Sequence, residues 1–160
     1  EMHTCTEKET VMYKNILIAT DGSELAGRGV RHGIALAKAV GGKITAVVAT
    51  DPMPMPGLAL GAGWVPSAEE LVSYRDSQAR FAGEILSGVE AEAKDAGVAV
   101  ETVYAADSRA SDAILQTAAA KDCDLIVMAS HGRRGVQRVL LGSQTSEVLA
   151  HSSLPVLVVR

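Results

Sequence analysis

The segment from Met128 to Ser143 contains the residue types best suited to bind a phosphate group. It has three glycines and three arginines, in a chain whose formal net charge is -4. The apolar run Asp124–Met128 has the composition of a buried parallel strand, and a helical pattern follows Gly142. A glycine-bearing loop between a strand and a helix presents free N–H groups and the positive end of the helix dipole. The segment therefore predicts a site for a phosphate-bearing ligand.

Composition excludes several classes of function. The aromatic content of 3% and the pI near 5.5 disfavour a nucleic-acid partner, which needs stacking platforms or a broadly basic surface. No apolar run approaches the roughly 18–20 residues of a membrane span, and no signal region opens the chain, so we expect no membrane partner. Cys5 and Cys123 do not resemble a disulfide framework, which favours a reducing, cytoplasmic setting with Cys123 as a structural residue.

Strands and helices alternate along the chain. Residues 1–11 are polar and aperiodic, and we interpret them as a flexible leader or a start-site artefact before one domain at 12–160. The predicted strands are Lys14–Thr20, Lys43–Thr50, Val98–Tyr104, Asp124–Ala129 and Pro155–Val159. The first predicted helix runs from an N-cap at Asp21 or Ser23 to about Val40, and the second runs from a capping box at Ser67 to about Ala96. The third starts at Ser108 or Ser111 and ends near Lys121. The last helix starts at Gly142-Ser143.

This alternation predicts βαβ units and an α/β fold. We expect a doubly wound, five-stranded parallel sheet in the order 3-2-1-4-5, with helices on both faces, as in Rossmann-like nucleotide-binding proteins. Open parallel sheets bind ligands outside the carboxyl ends of their strands, where the strand order reverses. That point lies between the first and fourth strands, whose following loops are Thr20–Gly22 and Ser130–Ser143. The two loops with unusual composition are thus expected to meet at one crevice.

The chain resembles the universal stress protein family from Tyr13 to Arg160. The matching segments are Ile16–Ser23, Asp124–Gly132, Leu140–Ser143 and Leu154–Val159. The resemblance implies a five-stranded α/β sandwich, a homodimer paired through the last strand (155–159) and, in one branch, bound ATP.

The ATP-binding branch carries the motif G-x2-G-x9-G-[ST], and this chain departs from it at one position. It reads Ala129-x2-Gly132-x9-Gly142-Ser143, with alanine in place of the first glycine. Glycine is needed where φ is positive or where backbone approaches a ligand closely, whereas a strand end accepts alanine. We therefore retain nucleotide binding as the leading interpretation. The family's GxP-like turn is also replaced, by Ser108–Ala110.

The resemblance implies a role for each matching residue. One wall of the site would comprise Ala19, Thr20 and Asp21, with Asp21 toward ribose hydroxyls or a phosphate-bound metal. Ala49 would meet adenine through backbone groups, and Met128 and Ala129 would form the other wall. The phosphates would be held by Gly132, Gly142, Ser143, Gln144 and Thr145, with added attraction from Arg133 and, more weakly, Arg134 and Arg138. The implied cofactor is ATP, with AMP, ADP and cyclic AMP as further possibilities, and any Mg²⁺ is held mainly by the phosphates.

Structural interpretations compete with several of these roles. Asp21 and Ser143 are each suitable N-caps, a role that contributes about 1 kcal/mol without any ligand. His131 has no partner at metal-ligand spacing and is expected to brace its loop. Gly22–Gly29 occupies the position of a phosphate-binding loop, but Arg28-Gly29 stands where Lys-[ST] is required.

The segment Asp51–Pro66 is too apolar for an indifferent linker. It can form a lid over the adenine pocket, a dimer contact or a loop folded onto the core, and we slightly favour the lid. Its apolar residues are Met53, Met55, Leu58, Leu60, Trp64 and Val65.

Three functions remain open from the sequence. The first is a non-catalytic, dimeric ATP-binding protein, whose stress-linked regulatory role is implied by the resemblance alone. The second is a slow ATP hydrolase or nucleotidyl transferase, disfavoured because no general base or catalytic Lys is evident, although Asp21 could hold a metal. The third is a ligand-free dimeric interaction module, which loss of one motif glycine would allow.

Overall fold

The computed structural model describes residues 12–55, 61, 63, 65–133 and 141–160, which form a parallel sheet flanked by helices. The strands are β1 (Asn15–Ala19), β2 (Lys43–Ala49), β3 (Val100–Ala105), β4 (Leu125–Ala129) and β5 (Val156–Val159). The helices are α1 (Glu24–Val40), α2 (Ala68–Ala96), α3 (Ala110–Ala120) and α4 (Ser143–His151). The sheet order is β3-β2-β1-β4-β5 and every pairing is parallel, which confirms the predicted doubly wound α/β fold.

Alternation along the central strands divides the core into two layers. Ile16 and Ile18 face α1 and α2, whereas Leu17 faces α3 and α4, and all three side chains are fully buried. Burying an aliphatic side chain of this size contributes about 1.5–3 kcal/mol, so the central strands fix the layers that carry the loops. Cys123 packs in the α3 and α4 layer, where burial raises the pKa of its thiol, as expected for a structural cysteine.

The first two helices begin at the residues that local capping chemistry predicts. Ser23 is the N-cap of α1, and its hydroxyl accepts a hydrogen bond from the Ala26 N–H at 3.2 Å. Ser67 and Glu70 form the predicted capping box of α2, and the hydrogen bond from the Ser67 N–H lowers the pKa of the Glu70 carboxyl. Of the two caps proposed for α1, the structure selects Ser23 and excludes Asp21.

The predicted start of α3 and the N-cap role considered for Ser143 are wrong, whereas the predicted start of α4 at Gly142-Ser143 is confirmed. The N-cap of α3 is Arg109, not Ser108 or Ser111, and its side chain makes no capping bond. The Ser111 N–H instead donates to Oε1 of Gln144 at 2.9 Å, so a distant residue satisfies this helix end. Ser143 is the first residue of α4 and not its N-cap, a position that Gly142 occupies. Interpreting Ser143 as an N-cap is therefore incorrect.

Two further expectations concern the ends of the chain and the membrane. The flexible leader predicted for residues 1–11 lies outside the described residues. Within the ranges given above, no helix combines the length and apolar character required to cross a bilayer.

A pair of glycines tests how tightly α1 packs on the sheet. A Cβ at Gly33 would lie 2.4 Å from the Cδ1 of buried Ile18, whereas a Cβ at Gly88, on the exposed face of α2, would meet nothing within 4 Å. Both substitutions to alanine gain about 1 kcal/mol of helix propensity, but overpacking costs about 1–3 kcal/mol. We expect Gly88→Ala to raise the free energy of unfolding measured with urea. The free energy of unfolding of Gly33→Ala should be about 2 kcal/mol lower than that of Gly88→Ala. Equal stability of the two variants would contradict the packing described.

Candidate functional site

A cavity of about 700 Å³ opens at the carboxyl ends of β1, β2 and β4. This is the edge of the sheet at which the strand order reverses, as predicted. The structure brings twelve of the predicted site residues to the wall of this one cavity: Ala19, Thr20, Asp21, Ala49, Met128, Ala129, Gly132, Arg133, Gly142, Ser143, Gln144 and Thr145.

The Asp21 carboxylate joins the two loops that flank the crevice. Its Oδ1 accepts a hydrogen bond from the Ser23 N–H at 3.0 Å, and its Oδ2 accepts one from the Arg133 N–H at 2.7 Å. A carboxylate has about four acceptor positions, so two backbone donors leave capacity for a ligand hydroxyl. Asp21 thus connects the start of α1 to the loop after β4.

The loop after β4 is fastened at two further points. A Cβ at Gly132 would lie 2.6 Å from the Oδ2 of Asp21, so a larger residue here would displace the Asp21 carboxylate. The guanidinium carbon of Arg133 lies 4.6 Å from the centre of the Phe81 ring on α2, which is a cation–π contact. Arg133, expected to attract phosphate, therefore already has an aromatic partner.

The first turn of α4 is held against the end of β4. The Gly142 N–H donates to the Ser130 carbonyl at 2.7 Å, and the Thr145 hydroxyl donates to the Ala129 carbonyl at 3.0 Å. A Cβ at Gly142 would lie 3.2 Å from the Cα of His131, so a larger residue would displace this turn. The turn is consequently fixed to the sheet at both its cap and its third residue.

The backbone N–H groups of this turn are donors that it can offer to a ligand, in addition to the Ser143 hydroxyl. The side-chain oxygens of Gln144 and Thr145 are engaged with Ser111 and Ala129. The first N–H groups of a helix have no partner inside it, and Gly142 provides no capping side chain. The N–H groups of Ser143, Gln144 and Thr145 can therefore bind an anion at the positive end of the helix.

Alanine at the first motif position is compatible with the strand. Ala129 is the last residue of β4 and pairs with Val159. Among the described residues other than glycine, positive φ occurs at Asp107 and Asp122 and so not at Ala129. The prediction that this position needs no glycine conformation is confirmed.

His131 lies beside the cavity, and its Nδ1 is 3.1 Å from the Ser130 hydroxyl. This contact agrees with the predicted bracing role. Within the described part of the chain, no group of three His, Cys, Asp or Glu side chains is arranged to hold a metal ion.

Sequence reasoning missed the wall supplied by α2. Tyr74, Gln78 and Phe81 line the cavity from one face of this helix, and the Tyr74 hydroxyl donates to the Asp51 carbonyl at 3.2 Å. Their i, i+4, i+7 spacing was a detectable signal. Other lining residues that were not predicted are Ala26, Val47, Thr50, Asp51, Arg109, Ala110, His131 and Ile114.

Some predictions fall on residues for which no placement is given. Arg134, Arg138, Leu58, Leu60 and Trp64 lie outside the described residues. From the rest of the segment 51–66, Asp51 lines the cavity, whereas Met55 and Val65 are exposed. The choice between lid, dimer contact and folded-back loop stays a prediction.

Comparison with known proteins gives a family match over most of the chain. The model of the universal stress protein family matches residues 12–160. A universal stress protein of Thermus aquaticus is 37% identical over 150 residues, covering 93% of this chain and 100% of that protein. One from Methanocaldococcus jannaschii is 34% identical over 149 residues, covering 93% of this chain and 83% of that protein.

Solved structures have the same fold. A universal stress protein in complex with cAMP is 25% identical, with a TM-score of 0.63 and coverage of 92% of this chain and 97% of that one. The universal stress protein from Archaeoglobus fulgidus in complex with dAMP is 21% identical, with a TM-score of 0.63 and coverage of 92% and 98%.

The Asp21 bridge can be tested by removing one acceptor oxygen. In Asp21→Asn, the amide cannot accept from both the Ser23 and Arg133 N–H groups, and a hydrogen bond to a charged group contributes about 1.5–3 kcal/mol. We expect faster amide hydrogen exchange at Arg133, measured by NMR, and a loss of about 1–2 kcal/mol in the free energy of unfolding. Asp76→Asn, on the exposed surface of α2, is the matched control. Unchanged exchange at Arg133 would contradict the bridge.

Proposed function

This chain belongs to the universal stress protein family, and we propose that it is a non-catalytic, cytoplasmic regulatory protein that binds an adenine nucleotide, with ATP as the principal ligand. The observation that carries the proposal is the cavity itself. Its volume of about 700 Å³ lies within the range of roughly 300–1,000 Å³ common for small-molecule sites. Its polar donors are concentrated at one end, as a ligand with an anionic tail requires.

The two ends of the cavity suit the two ends of a nucleotide. Ala19 and Ala49, with their small side chains, are at the ends of β1 and β2 and leave room for a flat adenine. Asp21 would accept a hydrogen bond from a ribose hydroxyl with its remaining lone pairs. The N–H groups of the first turn of α4 would bind the phosphates, with Gly132 and Gly142 allowing close approach. Met128 and Ala129 would form the opposing wall.

Similarity to nucleotide complexes supports the adenine part of the proposal. The relatives solved with cAMP and dAMP were bound to ligands that share adenine, a pentose and one phosphate. We extend this ligand class to the present chain because its cavity has the corresponding donors. ADP and AMP would use the same adenine wall.

We propose that any Mg²⁺ is held mainly by the phosphates. The described residues supply no ligand cluster for it, and the Asp21 oxygens already accept two backbone hydrogen bonds.

Nucleotide content and affinity test this function. We would heat-denature freshly purified protein, identify released nucleotide by chromatography, and titrate MgATP into stripped protein by calorimetry. We expect micromolar binding, because a few charge-assisted hydrogen bonds of about 1.5–3 kcal/mol each suffice with a buried base. Gly142→Val should weaken binding at least tenfold, because its side chain would displace the first turn of α4. Gly88→Val is the control with the same chemical change at an exposed helical position.

Two results would redirect the proposal. If no nucleotide is released and no heat of binding is measured up to millimolar ATP, the ligand-free interaction module would be favoured. Turnover of radiolabelled ATP that is lost in Gly142→Val would favour the hydrolase.

We also propose a homodimer formed through the last strand (155–159). Among the described strands, β5 is at the edge of the sheet and pairs with β4 alone, so its outer N–H and C=O groups are candidates for pairing with a second strand. Leu157 on this edge is 39% exposed.

The dimer can be tested with two matched leucines. We expect Leu157→Lys to convert the dimer to a monomer in sedimentation velocity, because a charged side chain on an edge strand disfavours pairing with a second strand. Leu149→Lys, at an equally exposed leucine (42%) on α4, should remain dimeric. A monomeric wild-type protein at micromolar concentration, or dissociation by both variants alike, would contradict this interface.

A further inference from the structure

We infer that Arg109 senses the length of the phosphate tail, so that the cavity prefers a nucleoside triphosphate to a monophosphate. This inference rests on the proposed function, since it concerns the ligand of the same cavity. Arg109 would then determine specificity, although it lies outside both the loops after β1 and β4 and the glycine motif.

Arg109 is an unpaired cation on the cavity wall. It is the N-cap of α3, with φ -64 and ψ 141, and its side chain makes no capping bond. In the part of the chain that the structure describes, its guanidinium forms no ion pair or hydrogen bond. Arg28 and Arg75, by contrast, form ion pairs with Glu24 at 3.5 Å and with Asp107 at 3.3 Å.

A side-chain hydrogen bond keeps Arg109 beside the anion-binding turn. Oε1 of Gln144 accepts from the Ser111 N–H at 2.9 Å, which joins the N-terminus of α3 to that of α4. These helices have 11 and 9 residues, so each presents the positive end of a full helix dipole to the cavity. Arg109 precedes Ser111 by two residues and is therefore next to the turn that offers its N–H groups.

Three charged side chains on the cavity wall come from three different connections. Asp21 and Asp51 follow β1 and β2, and Arg109 precedes α3. The Ser108 N–H donates to the Thr50 carbonyl at 3.0 Å, so the start of α3 lies beside the end of β2 as well as beside the first turn of α4.

The number of available donors explains why tail length matters. The first turn of α4 offers a few N–H groups, which suffice for one phosphate but not for all the oxygens of a triphosphate. A guanidinium presents a planar fork that pairs with two phosphate oxygens at once. Arg109, which is the N-cap of the neighbouring helix α3, is suited to receive the phosphates that extend beyond that turn.

The test is a comparison of ligands and variants. We would measure the affinity of wild type, Arg109→Ala, Arg109→Lys and Arg31→Ala for adenosine, AMP, ADP and ATP by calorimetry at low salt. Arg31 is exposed on α1 and does not line the cavity, so its variant controls for the loss of one positive charge. Thermal unfolding of each variant would verify that α3 remains folded.

We expect wild-type affinity to rise from AMP to ATP, and Arg109→Ala to lose about tenfold in ATP affinity, equivalent to about 1.4 kcal/mol. Its affinity for adenosine and AMP should change by less than about twofold, Arg109→Lys should be intermediate, and Arg31→Ala should match wild type. The difference for ATP should shrink at high ionic strength, because an exposed charge is screened.

Three results would overturn the inference. An equal loss of affinity for all four ligands in Arg109→Ala would indicate a structural role. An unchanged ATP affinity in Arg109→Ala would show that Arg109 does not contribute to the site. Wild-type affinities that do not depend on phosphate number would exclude tail sensing while leaving adenine binding intact. Absence of binding by any ligand would instead refute the proposed function itself, and this inference with it.

Discussion

The chain leaves β1 and β4 in opposite directions, and the rest of the structure depends on that reversal. From β1 it crosses through α1 to β2, and from β4 it crosses through α4 to β5. The two connections diverge from adjacent strands, and a crevice opens between the loops that follow them. The Asp21 carboxylate spans this crevice through the Arg133 N–H and sets the distance between its walls.

Side chains and backbone have different tasks at this crevice. The polar side chains that sequence reasoning assigned to the ligand mostly hold the loops together: Asp21 binds Ser23 and Arg133, Thr145 binds Ala129, and Gln144 binds Ser111. The backbone N–H groups of the first turn of α4 are thereby positioned for an anion. This division explains which motif glycines matter. Alanine fits at position 129 because the strand is regular there, whereas Gly132 and Gly142 have neighbours within 2.6 and 3.2 Å of a Cβ.

The sequence predicts the sheet and the location of the crevice because both follow from local patterns. Alternating apolar strands and amphipathic helices define βαβ units, and these units allow few strand orders. The α2 wall was missed because Tyr74, Gln78 and Phe81 reach the cavity from a helix whose placement depends on tertiary packing. The start of α3 was misplaced because the side chain that accepts a hydrogen bond from its N-terminal Ser111 N–H belongs to Gln144, 33 residues further along the chain. Arg109 was overlooked as a site residue for the same reason, since only the fold brings it to the cavity.

The most direct test of nucleotide binding at this crevice is an NMR titration of the ¹⁵N-labelled protein with MgATP. The account predicts that the largest amide shifts occur at three chain-distant places, residues 19–21, 49–51 and 143–145, because these meet only at the carboxyl edge of the sheet. Shifts confined to the outer strand β5 or to the C-terminal half of α2 would contradict it, since neither contributes to the cavity wall.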